Sequence, residues 1–301
     1  MLSMNMAGDI SRVMTLVQSG HLEMAEKACH ELCLMTENDA DLWSLLGAIR
    51  VSLGKTEDAI DCTRKALKLD PDCFDAHFNL AQSYVKLGKY VEAIPHYQKI
   101  ADSDRVNPEA CNNLGSILLK TGSVAESITY LQRAVEYNPR YTAAYMNLGM
   151  AFRLLGHMKQ SLDSYRTALD TNPGDQDILL AVGYAMRLNG QLDDARKLYD
   201  SLLQEDPLSC AALVGKAWAL EMQGEAKESR RILTPLVEKG ALSPDLAALF
   251  ARLSNGTGER EKAVALIKQM LQISGNDRHV RASLRRVHHT VSCADDGTLI
   301  R

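Results

Sequence analysis

Residues 142–175 read TAAYMNLGMAFRLLGHMKQSLDSYRTALDTNPGD, and the reading of this stretch decides the fold. Its central Gly156 belongs to a ladder of eight glycines, Gly20, Gly54, Gly88, Gly122, Gly156, Gly190, Gly224 and Gly258, spaced 34 residues apart. A fixed interval of that size over most of a chain marks a tandem array, in which each unit stacks on its neighbours. The length of 301 residues therefore counts repeats rather than domains.

Placing each glycine at position 15 of a 34-residue unit puts unit starts near 6, 40, 74, 108, 142, 176, 210 and 244. Small residues recur at position 8 (Gly47, Ala81, Gly115, Gly149, Gly183, Ala217, Ala251) and at position 20 (Ala25, Ala59, Ala93, Ser127, Ser161, Ala195, Ser229, Ala263). Two helices packed face to face need small side chains where their axes come closest. The glycine between them suits the left-handed cap that ends a helix. Each unit is thus predicted to be helix, tight turn, helix. Asp70-Pro71, Asn138-Pro139, Asn172-Pro173 and Asp206-Pro207 stop the second helix, because proline disfavours helix in the residue before it.

Tyr145, Asn147, Leu148 and Gly149, followed by Gly156, Tyr165, Ala168 and Pro173, resemble the tetratricopeptide repeat. The chain is similar to bacterial proteins of that family and to the repeat domains of O-GlcNAc transferases and repeat-sulfotransferases. The resemblance implies an all-α fold, a right-handed α-solenoid superhelix of about eight helix-turn-helix repeats across residues 1–277. It also implies a concave groove lined mainly by first helices, which takes peptide segments.

Departures from the pattern mark irregular places. Unit 1 carries Asp9 and Glu37 at positions the repeat usually fills with an apolar residue and a proline, and reads as an N-terminal cap. Arg105 with Pro108 displaces one stop, Pro95 falls early enough in its helix to be tolerated, and Pro235 should shorten or bend its helix. Gly240 and Pro244 follow, so the junction before the last unit is the least regular. In residues 278–301, Val280, Leu284, Val287 and Val291 form one apolar stripe, expected as a capping helix before a frayed tail.

Apolar content of 46% with charged content of 24% is that of a soluble globular chain, and no apolar run approaches the length of a signal core or a membrane span. No membrane contact and a cytoplasmic location are the resulting expectations. Seven cysteines scattered through helical segments read as reduced thiols. The formal charge of −4 argues against a nucleic-acid partner, although residues 278–301 alone carry five Arg against Asp295 and Asp296. Neither Cys29, His30 and Cys33 nor His288, His289 and Cys293 has a complementary pair at zinc spacing, so no metal or cofactor is expected. No phosphate loop, nucleophile elbow or metalloprotease helix occurs, and the chain reads as non-catalytic.

Helical periodicity divides each first helix into a packed face and a face carrying positions 2, 5, 6, 9, 12 and 13. On the second face Asn79, Asn113 and Asn147 repeat at position 6. Units about 10 Å apart match roughly three residues of an extended peptide, and an amide can pair with a peptide backbone without reading its sequence. The arrangement is similar to the asparagine ladder of O-GlcNAc transferase repeats; the alternative is that asparagine before Leu-Gly is simply common in the family. Lys86, Lys120, Arg153 and Arg187 form a candidate basic strip for a carboxylate, or else scattered solvated charge. The Lys-and-Asn opening pair used by chaperone-tail clamps is missing, which disfavours that role. Met146, Met150, Leu180, Tyr184, Val214, Trp218 and Met222 make the later part of the face apolar, suited to a partner's side chains or to burial against a neighbouring helix.

The leading expectation is a protein-interaction scaffold binding an extended peptide or protein segment in the groove. The alternative is the repeat part of a glycosyltransferase- or sulfotransferase-type enzyme whose catalytic domain lies elsewhere. The stretch Leu233-Thr234-Pro235-Leu236-Val237-Glu238 resembles late repeats of the latter. Self-association through an irregular end unit is a third reading.

Overall fold

A computed structural model of the chain describes residues 3–103, 107–240, 243–254 and 260–273. These fold into sixteen α-helices, and no strand occurs among the described residues. The first helices of the hairpins are α1 (Ser3–Gln18), α3 (Ala40–Ser52), α5 (Phe74–Lys86), α7 (Pro108–Thr121), α9 (Thr142–Leu154), α11 (Gln176–Leu188), α13 (Cys210–Met222) and α15 (Pro244–Leu253). The second helices are α2 (Leu22–Met35), α4 (Thr56–Leu69), α6 (Tyr90–Ala101), α8 (Val124–Tyr137), α10 (Met158–Thr171), α12 (Leu192–Glu205), α14 (Ala226–Glu238) and α16 (Arg260–Ile273). The chain divides into two compact units, one through His157 and one from Met158. Gly258, Arg105 and the expected capping helix and tail of 278–301 lie outside the described residues.

Seven of the ladder glycines, Gly20 through Gly224, have φ between 71° and 93°. At each, the glycine N–H donates to the carbonyl three residues back, and the next N–H donates to the carbonyl five residues back, as Gly54 to Val51 and Lys55 to Arg50 show. This is the double bond of a Schellman cap, which satisfies carbonyls that the end of a helix would otherwise leave open. The second-helix stops hold as well. Asp70, Asn138 and Asp206 each accept, through Oδ1, the backbone N–H two residues on, so the acid or amide before proline builds the turn.

Within a hairpin the small residues meet. A Cβ added to Gly47 would fall 2.6 Å from Thr63 Cγ2, one on Gly115 2.5 Å from Leu131 Cγ, and one on Gly183 2.9 Å from Tyr199 Cε1. Ala59, Ala93, Ser127, Ala195 and Ser229 on the facing helices are fully buried. A continuous core follows in each unit, around Tyr97, Ile100 and Leu114 in the first and around Leu233, Leu246 and Phe250 in the second. Six thiols, Cys29, Cys33, Cys62, Cys73, Cys111 and Cys210, are unbridged, and the first five are buried.

Pro95 lies in the middle of α6, which continues through it. Pro235 lies inside α14, which has 13 residues against 14 in α4, α8 and α12; the helix runs on to Glu238, and Lys239 N–H still reaches the Pro235 carbonyl. The loss is confined to the bond a proline nitrogen cannot give, while Leu236, 8% exposed, anchors the following turn in the core.

In the first unit α5 and α6 are joined by two imidazoles, with His77 Nδ1 and His96 Nδ1 2.8 Å apart. His77 Nε2 lies 2.9 Å from the Pro71 carbonyl, which only accepts, so this nitrogen carries the proton and the bare Nδ1 accepts from His96. Burial depresses both pKa values, His96 to about 4 with help from neighbouring His77, Arg64 and Lys99. For His77 the Pro71 carbonyl, Asp72 and Asp70 oppose burial, while Lys99 adds to it.

Replacing Gly115 by alanine should destabilise the chain by about 1–3 kcal/mol through overpacking against Leu131. Gly8→Ala, in open space on α1, should leave the melting temperature unchanged or higher. Thermal melts of the two variants check this, and equal midpoints would refute it. The histidine pair contributes fully above the unfolded value of 6.5 and is lost as pH falls toward about 4. From pH 7.5 to 5.0 the intact chain should lose about 1 kcal/mol, or roughly 2 °C, more than a His77→Leu/His96→Leu variant, after allowance for solvent screening at His96, the more open of the two rings. Parallel melting curves at the two pH values would remove the assignment.

Candidate functional site

In each unit successive first helices lie side by side, α3 with α5 and α7 with α9 in the first, α11 with α13 and α13 with α15 in the second. No pair of second helices is as closely associated. The first helices therefore line the tighter edge of each unit, and the side chains they present there form its candidate binding face. α5 and α7 approach less closely than α3 and α5 or α7 and α9, at the place where Pro108 displaces the stop.

Asn79, Asn113 and Asn147 stand on α5, α7 and α9, each half-buried. Asn79 donates to the Ser44 carbonyl and hydroxyl at 3.2 Å, and Asn147 donates to Asn112 Oδ1 at 2.8 Å. Asn113 donates to the Tyr97 hydroxyl at 3.4 Å and accepts from Asn112 at 3.4 Å. The amides thus tie each first helix to its predecessor, α5 to α3 and α9 to α7, with no such bond across the wider α5–α7 step. The NH2 groups of Asn113 and Asn147 keep a second hydrogen, whereas that of Asn79 serves both Ser44 acceptors; the Oδ1 atoms of Asn79 and Asn147 accept nothing within the described residues.

Positions 5 and 12 are more enclosed than helical periodicity alone suggests. Ser44 and Asn112 at position 5, and Val51 and Leu119 at position 12, are buried between neighbouring first helices. The basic residues do not form one strip. Lys86 donates to the Val51 carbonyl at the end of α3, at 2.9 Å, whereas Lys120 lies 5.3 Å over the Tyr90 ring of α6. Arg153 is half-buried in the last turn of α9.

Arg187, on α11 of the second unit, departs furthest from a solvated charge: it is 7% exposed. Its guanidinium lies 4.8 Å over the Tyr184 ring and 5.3 Å over the Trp218 ring, and Nη1 reaches Met222 Sδ at 3.6 Å. Arg187, Tyr184 and Trp218, with Leu180, Val214 and Tyr199, line a cavity of about 380 Å³ between α11 and α13. Burial raises the Tyr199 phenol to about 12 despite the nearby Arg187 charge. Tyr199 fits there because Gly215 has no Cβ; one would sit 2.4 Å from its Cζ. Position 12 holds Val51, Val85 and Leu119 and then Arg153 and Arg187, so the register turns from apolar to basic before this site.

Family models of the Tetratricopeptide repeat match residues 44–108, 112–176 and 186–253. The chain belongs to the tetratricopeptide repeat family. A tetratricopeptide repeat protein of Parabacteroides merdae shares the fold, with a TM-score of 0.70 at 16% identity over 82% of this chain and 98% of that one. YrrB, described as a TPR protein with an unusual peptide-binding site, is 25% identical with a TM-score of 0.58, over 64% of this chain and 98% of its own. MamA is 26% identical with a TM-score of 0.52, covering 56% and 92%. No curated protein sequence matches the chain. A tetratricopeptide repeat array of this kind is, in general terms, a protein-interaction scaffold. No helix among the described residues is long and apolar enough to cross a membrane.

Proposed function

We propose that the chain captures an extended segment of a partner protein along the first-helix face of its first unit. The observation that carries this is the placement of Asn79, Asn113 and Asn147 at equivalent points on three first helices, with amide capacity left over after their internal bonds. An extended segment advances about 3.3 Å per residue, so helices packed roughly 10 Å apart meet it every third residue. Each remaining carbonyl oxygen accepts a peptide N–H and each remaining amide hydrogen meets a peptide carbonyl, which grips backbone with little regard to side chain. The peptide-binding site of YrrB, on a similar array, favours the same use of this fold. Lys86 and Lys120 at the ends of α5 and α7 add positive charge beside the asparagines and favour a segment bearing carboxylates. Exposed Met150 on α9 offers it an adaptable apolar contact.

Affinity capture followed by peptide scanning should yield an unstructured partner segment. Joint replacement of Asn79, Asn113 and Asn147 by alanine should then weaken its binding by about tenfold or more, near 1.4 kcal/mol. Because two of these amides also join helices, the triple variant should melt lower by about 1–3 kcal/mol in all, and binding is compared well below its midpoint. Undiminished binding to the folded variant would refute the proposal.

A further inference from the structure

The cavity between α11 and α13 is lined by a buried positive charge, with the carboxylate of Asp245 at its exposed rim. Arg187 is always protonated, is more than nine-tenths buried, and makes no ion pair among the described residues. Its Nε–H is a buried donor with no partner. The rings of Tyr184 and Trp218 offset part of the desolvation by covering the guanidinium, the Tyr199 oxygen accepts from it, and Met222 Sδ is only a weak acceptor. Elsewhere on the face basic groups are exposed or half-exposed; here a guanidinium is held by aromatic walls beside an accessible space. That arrangement suits a ligand atom that accepts from the planar donor edge.

The geometry points to a binding site for a single carboxylate carried on an apolar body about the size of one amino-acid residue. A carboxylate is the acceptor that suits a guanidinium, combining opposite charge with hydrogen bonds from its planar donor edge. The body is apolar because Leu180, Val214 and the two aromatic side chains form the remaining walls. There is one carboxylate only, since Asp245 at the exposed rim opposes a second negative charge and Arg187 is the one basic group lining the cavity. The volume, about 380 Å³, is at the lower end for small-molecule pockets, which run from about 300 to 1,000 Å³. Such a group is either a free small acid or the C-terminal residue of a polypeptide. The inference is independent of the asparagine face, which belongs to the first unit.

Titration calorimetry on the full chain, paired with tryptophan fluorescence because Trp218 lines the cavity, tests it with four probes. These are N-acetyl-phenylalanine, N-acetyl-phenylalaninamide, and a tetraalanyl-phenylalanine peptide with free or amidated C terminus. At least one acid should bind about tenfold more tightly than its amide, and Arg187→Gln should abolish that preference. Binding of the short acid identifies a free-acid site, and binding of the peptide acid alone identifies a chain terminus. Should Arg187→Gln fail to fold, Asp245→Asn at the exposed rim should tighten the acid several-fold and leave the amide unchanged. Equal binding of acid and amide, no binding of either acid, or an acid preference that survives Arg187→Gln would overturn the assignment.

Discussion

Everything in this structure depends on one close approach repeated along the chain, the point where a side chain of the second helix of a hairpin packs against the bare backbone of the first. At Gly47, Gly115 and Gly183 the facing side chain occupies the space that a Cβ would need. A few residues later the left-handed glycine closes the hairpin with two hydrogen bonds to carbonyls of the first helix. The crossing sets the separation of the two helices and the cap sets the direction of return. With both fixed at the level of the backbone, the remaining positions of a first helix can change without unpicking the hairpin, and that is where the two candidate sites arise.

The glycine register and the proline stops made the helices legible to within a residue or two, because each rests on a local requirement that few residues satisfy. Burial on the flanks of the first helices was less legible. Periodicity assumes one buried stripe, but a first helix in an array packs on its own second helix and on first helices before and after it. Its buried arc is correspondingly wide, so Ser44, Asn112 and Arg187 are enclosed even though they fall outside the stripe. Pro235 is accommodated within α14 by its surroundings. The local penalty is real, but Leu236 is held in the core and Gly240, with φ of 74°, caps the helix beyond it.

The asparagines have two structural and chemical roles at once. A side-chain amide has two hydrogens and two acceptor sites, and the internal links of Asn79 and Asn147 use only donors. An alanine would lose the link and an aspartate would lose the donor, whereas asparagine locks one helix to the previous one and still presents a carbonyl. This explains why the residue type recurs without requiring that it serve only packing or only binding. The missing link between α5 and α7 follows from their wider separation, which divides the row into two locked pairs of helices.

Arg187 shows how such a register can accommodate a residue that the array itself would reject. Position 9 carries Gln82, Ser116 and Met150 on the first helices of the first unit, but Tyr184 and Trp218 on α11 and α13. Those two rings flank the position where Val51 and Leu119 are simply buried apolar side chains in their own helices. Each ring contributes on the order of 0.5–2 kcal/mol to a guanidinium laid over it, while enclosing a charge without a counterion costs several kcal/mol. The rings therefore reduce the cost without cancelling it. A valine at this place would pack without cost, as Val51 does, so the arginine is not explained by stability. Arginine, both aromatics and Gly215, which lets Tyr199 complete the wall, occur together in the second unit and form a single pocket.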